Sequence, residues 1–195
     1  LLADPPDHIL GLFGEGGPMG YEFDHATTTR KEYDRIPHLS EMTKAAIEIL
    51  ARSPKGFFLM VEGACIDKAS HKNQLERAVY ETVEFDKAVR VVVEWASKRE
   101  DTLVLVTADH ETGGLKVVEG KAAGTMPAVT WSTLKHTGAH VPLFGMGPGS
   151  EKIAGTLDNT DVFRLASGTF ETPTHYMPPV GDAEDGSDAG TKGMD

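Results

Sequence analysis

Six residues in the middle of the chain have side chains and spacing suited to holding divalent cations. Glu62, Asp67 and His71 follow one apolar run, Asp109 and His110 follow a second, and His136 lies 26 residues further on. Carboxylate oxygens and imidazole nitrogens are ligands for zinc or for a harder divalent ion. Asp67 and His71 are four apart, so a helical turn at this point would put both on one face. Each piece alone has a plainer explanation: a surface acid–histidine pair, a helix-capping aspartate, a loop histidine or a solvated strand end. Their concentration behind two apolar runs favours a metal site.

The apolar runs themselves are Phe57 to Val61 and Thr102 to Val106. Continuous rather than alternating apolarity predicts strands covered on both faces. Between them Leu75, Ala78, Val79, Phe85, Val89, Val92, Val93 and Ala96 recur at the helical period, which predicts a long helix over about 73–98. Strand, helix and strand at this spacing make a βαβ unit, so the two strands are expected to run parallel. In open parallel sheets ligands bind at the carboxyl ends of the strands, where Glu62, Asp67, Asp109 and His110 would then sit.

The flanking segments follow the same rules. Ile9 to Phe13 is a candidate buried strand, and the glycines at 14, 16 and 17 fall in an irregular stretch. Ser40 is a candidate N-cap for a helix with Leu39, Met42, Ala46, Ile49 and Leu50 on one face, stopped by Pro54 and Gly56. Residues 111–135 read as an insertion with a turn at Gly113-Gly114. Val141 to Phe144 is a third strand candidate, and Thr160 to Ala166 a closing helix. Domain boundaries follow: 1–166 is one folded unit and 167–195, where Pro, Gly, Asp and Ser dominate, a solvated tail.

Composition narrows the function. With 30 acidic and 19 basic residues the net charge is −11, and no Lys/Arg cluster could neutralise a run of phosphates, so nucleic acid is not an expected partner. No apolar stretch approaches the ~20 residues needed to span a bilayer. The single cysteine, Cys65, excludes an internal disulfide and a multi-cysteine zinc site, and reads as a small buried residue. A chain opening on Leu-Leu-Ala-Asp-Pro-Pro reads as the middle of a longer polypeptide.

Four motifs then carry a resemblance. Residues 57–71, Phe-Phe-Leu-Met-Val-Glu-Gly-Ala-Cys-Ile-Asp-Lys-Ala-Ser-His, resemble the alkaline phosphatase segment Glu-Gly-x-x-Ile-Asp-x-x-x-His. Residues 107–115, Thr-Ala-Asp-His-Glu-Thr-Gly-Gly-Leu, resemble that family's second metal motif. His136-Thr137-Gly138, with Val141-Pro142-Leu143 and Gly147-Pro148 after it, resembles the third, and Asp158 to Phe163 the closing segment. The likeness runs from about Leu10 to Leu165, with the motifs in family order.

The resemblance implies a three-layer α/β/α sandwich around a mostly parallel sheet, with the N-terminal part of the sheet absent from this chain. It implies two zinc ions and one magnesium. Asp67, His71 and His136 would be the protein ligands of the first zinc, Asp109 and His110 two of three ligands of the second, and Glu62 a magnesium ligand. Lys68 falls where some bacterial members have a lysine near the phosphate and others a histidine; a solvated turn lysine is its plainer reading. The implied reaction is hydrolysis of phosphate monoesters through a phosphoserine, in a periplasmic or secreted homodimer.

The chain departs from the family pattern in one respect. No Asp-Ser-Ala motif with the nucleophilic serine occurs, and none of its arginines lies in a segment matching the phosphate-binding arginine. The expected partner is therefore the N-terminal half of the same protein, without which the chain should be inactive. A phosphodiesterase or sulfatase of the same superfamily, or a non-enzymatic metal- or phosphate-binding fragment, are the alternatives.

Overall fold

The computed structural model describes residues 8–13, 20–27 and 36–171. Among these, a short helix α1 (Glu22–Thr27) precedes α2 (Leu39–Leu50), α3 (Cys65–Ser70) and the long α4 (Leu75–Ala96). Six short strands follow: β1 (Val104–Thr107), β2 (Glu111–Thr112), β3 (Lys116–Glu119), β4 (Ala128–Thr130), β5 (His136–Thr137) and β6 (Leu143–Met146). A 3₁₀ turn at Ser150–Lys152 and helix α5 (Asn159–Ala166) complete the order.

Helix α4 is the scaffold, with α1, α2, α3 and β1 packed along it. Its buried positions are Ala78, Glu84, Ala88 and Ala96, and three alanines on the inner face let the neighbouring backbones approach closely. The fourth, Glu84, sits in that core with its carboxylate satisfied. It accepts the Ser40 N–H at 3.0 Å and pairs with Lys87 at 3.1 Å. Ser40 is thus not the N-cap. Helix α2 begins one residue earlier, at Leu39, with Glu41 reaching back to the His38 N–H at 2.9 Å and Glu84 serving the Ser40 N–H. A carboxylate from another helix thus takes the N–H of Ser40 itself, a first-turn donor that no intrahelical carbonyl reaches. The buried residues of α2 are Thr43 and Ile47, the Thr43 hydroxyl being satisfied by the Leu39 carbonyl at 2.7 Å.

Strand pairing differs from the βαβ expectation. β1 pairs with β6 antiparallel, Val104 opposite Met146 and Thr107 opposite Leu143. β2 pairs with β5, and β3 with β4, so every sheet among the described residues is two-stranded and antiparallel. Phe57 to Val61 forms no strand, and Phe58 and Met60 lie exposed. Ile9 to Phe13 likewise forms none, with Leu10 and Leu12 more than four-fifths exposed. Apolar runs of this kind report a tendency to be covered, but a strand exists only where a neighbour completes its hydrogen-bond ladder. None of the described strands pairs with either run. The predicted third strand and closing helix are present as β6 and α5, the latter capped by Asp158, whose carboxylate accepts the Thr160 N–H at 2.9 Å. The folded unit runs past the expected boundary at 166: Phe170 is 2% exposed and its carbonyl accepts from the Lys152 ammonium at 2.8 Å. Of the expected tail, residues 172–195 lie outside the described residues, as do the glycines at 14, 16 and 17.

Glu84 makes the packing of α2 on α4 testable. Burial pushes its carboxyl up, but the Ser40 N–H and hydroxyl and the Lys87 ammonium outweigh that and hold it below its ordinary value. The unfolded chain therefore binds this proton more tightly than the folded one. Its stabilising contribution is full above the unfolded value, about pH 4.3. It is lost as the pH falls through the lower folded-state value. Glu84→Gln should cost about 1–3 kcal/mol at pH 7, with the difference from wild type shrinking below about pH 4; urea denaturation across that range measures it.

Candidate metal centre

Helix α3 does what the Asp67/His71 spacing predicts. The His71 N–H bonds the Asp67 carbonyl at 2.9 Å, so the helical turn runs through both residues and their side chains share a face. Asn73, in the left-handed region at φ 52°, ends the turn, a conformation asparagine tolerates.

His136 arrives from the other side through β2 and β5, whose two-residue ladder sets Thr112 opposite His136 and Glu111 opposite Thr137. The turn after β2 locks this ladder. Gly113 has φ 93°, and a Cβ there would stand 2.5 Å from the Trp131 ring, so no other residue fits. Its carbonyl accepts from the Ser132 and Thr133 N–H groups, and its own N–H donates to Lys135. The Glu111 carboxylate takes the Gly114 and Leu115 N–H groups and the Thr137 hydroxyl.

Three ligand-type atoms converge as a result. Asp67 Oδ1 lies 3.3 Å from both His71 Nε2 and His136 Nε2, and the two nitrogens are 2.9 Å apart. His71 Nδ1 sits 2.6 Å from the Leu134 carbonyl, which can only accept. Nδ1 therefore carries a proton, and Nε2 is the atom turned to the cluster. Two imidazole nitrogens and a carboxylate oxygen this close require a positive centre among them, either an added proton on one of the rings or a cation. Separations of 2.9–3.3 Å are within a few tenths of an ångström of those around one small tetrahedral ion with bonds of ~2.0–2.2 Å.

Thr112, buried, supports the set from behind. Its hydroxyl donates to Asp67 Oδ1 at 2.7 Å and lies 3.2 Å from His110 Nδ1. The His110 ring stacks on that of His136, centroids 3.5 Å apart, and His110 Nε2 is 3.3 Å from Asp109 Oδ2. The Asp109 side chain is 89% exposed. Asp109 and His110 thus stand beside the triad as a second, open pair.

Residues 2–128 match the family model described as "Alkaline phosphatase". This stretch is more than half of the chain and carries Asp67, His71, Asp109 and His110.

The chain belongs to the alkaline phosphatase family.

Among curated relatives, it is 38% identical over 177 residues to the tissue-nonspecific alkaline phosphatase of Felis catus, covering 88% of this chain and 32% of that protein. Alkaline phosphatase of Escherichia coli K12 is 34% identical over 191 residues, covering 83% of this chain and 41% of that one. The chain therefore spans well under half the length of these relatives. Among solved structures, alkaline phosphatase from the Antarctic bacterium TAB5 superposes with a TM-score of 0.62 at 33% identity, over 71% of this chain and 42% of that one. A mutant of the TAB5 enzyme with magnesium bound in its M3 site gives 0.63 at 34% identity, over 71% and 43%. These likenesses support an α/β fold.

Two of the residues singled out from this alkaline phosphatase sequence stand apart from the cluster. Glu62 and Lys68 are both exposed, and neither is in the group formed by Asp67, His71 and His136. Burial pushes the half-buried Cys65 thiol above its ordinary value, the opposite of an activated nucleophile. Sequence reasoning missed Thr112 and the Leu134 carbonyl. The motif at 107–115 contains Thr112, but its role depends on a hydrogen bond to a residue 45 positions away.

Removing that hydrogen bond should loosen Asp67 without removing a ligand. Thr112→Val should weaken zinc binding at this site by about 10–100-fold, measured by competition with a chromophoric chelator. Unchanged affinity would mean that Asp67 is held in place without it.

Proposed function

We propose that this chain is the metal-binding portion of a phosphomonoesterase. The observation that supports the reading most directly is the convergence of Asp67, His71 and His136, residues far apart in sequence, on a spot with room for one cation. In this proposal the three residues hold the first zinc. Asp109 and His110 contribute to the second together with a ligand from outside these 195 residues. Glu62 contributes to magnesium in the same shared way.

Bound there, a pair of divalent ions supplies charge stabilisation for the attacking and leaving oxygens of an in-line phosphoryl displacement. The chain's own residues do the positioning. Leu134 fixes the His71 tautomer, Thr112 orients Asp67, and Glu111 holds the 112–115 turn and Thr137 in register. In this reading Lys68, next to Asp67 and exposed, is assigned to the approaching phosphate group.

The nucleophilic serine, the phosphate-binding arginine and the remaining ligands are assigned to the part of the protein that completes the length of the relatives. Exposed Phe58, Met60, Leu10 and Leu12 are what that part would cover, with Phe57 to Val61 paired into a parallel sheet of the three-layer sandwich. Residues 1–166 then form the C-terminal portion of the domain, to which the buried Phe170 still belongs, and the polar tail is assigned to the residues after it. A homodimer in the periplasm or outside the cell is part of the same reading; no described helix is long and apolar enough to cross a membrane.

The experiment is zinc dialysis and a phosphomonoester assay on the chain alone. It should bind zinc and show no metal-dependent turnover. Robust turnover would put a nucleophile within these residues and overturn the division of labour.

In the complete enzyme His136→Ala should lower turnover by at least 100-fold, an oxyanion-scale loss, and reduce its zinc content. His140→Ala, changing an exposed residue, should alter neither. Equal effects would refute the ligand assignment.

A further inference from the structure

A second group of metal-type side chains is built from different elements. Glu22 opens α1, His25 follows one turn later, and His38 immediately precedes α2. Each offers one ligand atom, and these atoms lie within 4.8 Å of one another. His38 Nδ1 is 3.0 and 2.9 Å from the two Glu22 carboxylate oxygens, and the His25 and His38 rings are 5.6 Å apart between centroids. Glu22 and His25, three apart on a helix, project from the same side.

The group is held in place by contacts that do not use its ligand atoms. The Glu22 N–H donates to Glu81 of α4 at 2.6 Å, Asp24 pairs with Arg77 at 2.9 Å, and Phe23 meets Tyr80 edge-on. Its surroundings are acidic: Glu41 and Glu84 also act on His38, and Glu81 on Glu22. A cation entering here meets one carboxylate and two partly buried imidazoles in an acidic surround, with the Arg77 guanidinium already paired to Asp24. Tetrahedral zinc with bonds of ~2.0–2.2 Å sets its ligands about 3.3–3.5 Å apart. The present Glu22–His38 separation would therefore have to open by only a few tenths of an ångström.

We propose that Glu22, His25 and His38 form an additional zinc-class cation site, distinct from that of Asp67, His71 and His136. Two imidazoles and one carboxylate supply three ligands, and water takes the fourth position. The ion clamps α1 to the entry of α2 across α4, so its role is to fix this corner of the fold. The plainer account is a Glu22–His38 ion pair with His25 incidental, and it makes the opposite prediction for His25.

The test uses the full chain carrying Asp67→Ala and His136→Ala, which disables the first site whatever its function. Zinc is counted by equilibrium dialysis, and cobalt(II) absorption reports tetrahedral coordination. This parent should retain one tight zinc. Adding His25→Gln should weaken that zinc at least tenfold and abolish the tetrahedral cobalt bands. Adding His25→Cys instead should keep the metal and introduce a thiolate-to-cobalt charge-transfer band, which a merely unfolded variant would lack. Zinc held equally by parent and His25→Gln overturns the proposal. So does a parent without tight zinc, or a cysteine variant that binds cobalt with no thiolate band.

Discussion

Two imidazole nitrogens and a carboxylate oxygen within 3.3 Å of one another are an electrostatic demand that an added proton or a cation must meet. His71 Nδ1 is committed to the Leu134 carbonyl, so Nε2 is the nitrogen that faces His136 and Asp67. Bringing such atoms together is unfavourable unless positive charge lies among them. The local architecture bears that cost through several separate devices: the helical turn of α3, the β2–β5 ladder, the left-handed Gly113 under Trp131, and the Glu111 carboxylate tied to three donors. Their common result is the placement of three side chains.

The same arrangement explains the graded environment around it. Thr112 is buried and shared between Asp67 and His110, so the triad and the neighbouring pair are coupled through one hydroxyl. Asp109, by contrast, is almost fully exposed, and Glu62 and Lys68 lie at the surface. Exposure does not separate the triad from the neighbouring pair: the His110 side chain, at 27%, is less exposed than that of His136, at 47%, and it is held by Thr112 and by stacking on His136.

What could be read from the sequence follows the range of the interactions involved. The Asp67/His71 face depends on one helical turn, and α2, α4 and α5 on periodicity within a single segment; these were legible to within a few residues. Helix starts were less so: α2 begins at Leu39 rather than after Ser40, and the first-turn Ser40 N–H is met by Glu84, 44 residues away. Strand direction was not legible at all from Phe57 to Val61 and Thr102 to Val106. A continuous apolar run encodes burial, while its ladder partner is encoded elsewhere, and β1 found β6 rather than the first run. Glu22, His25 and His38 went unread for a similar reason: no short motif joins them, and only the packing of α1 on α4 brings them together.

The most direct measurement is anomalous diffraction at the zinc edge from crystals of the chain grown with zinc. The account predicts a peak within bonding distance of Asp67 Oδ1, His71 Nε2 and His136 Nε2, with the Leu134 carbonyl still on His71 Nδ1. Zinc bound elsewhere while these three side chains stay together around no anomalous density would contradict it.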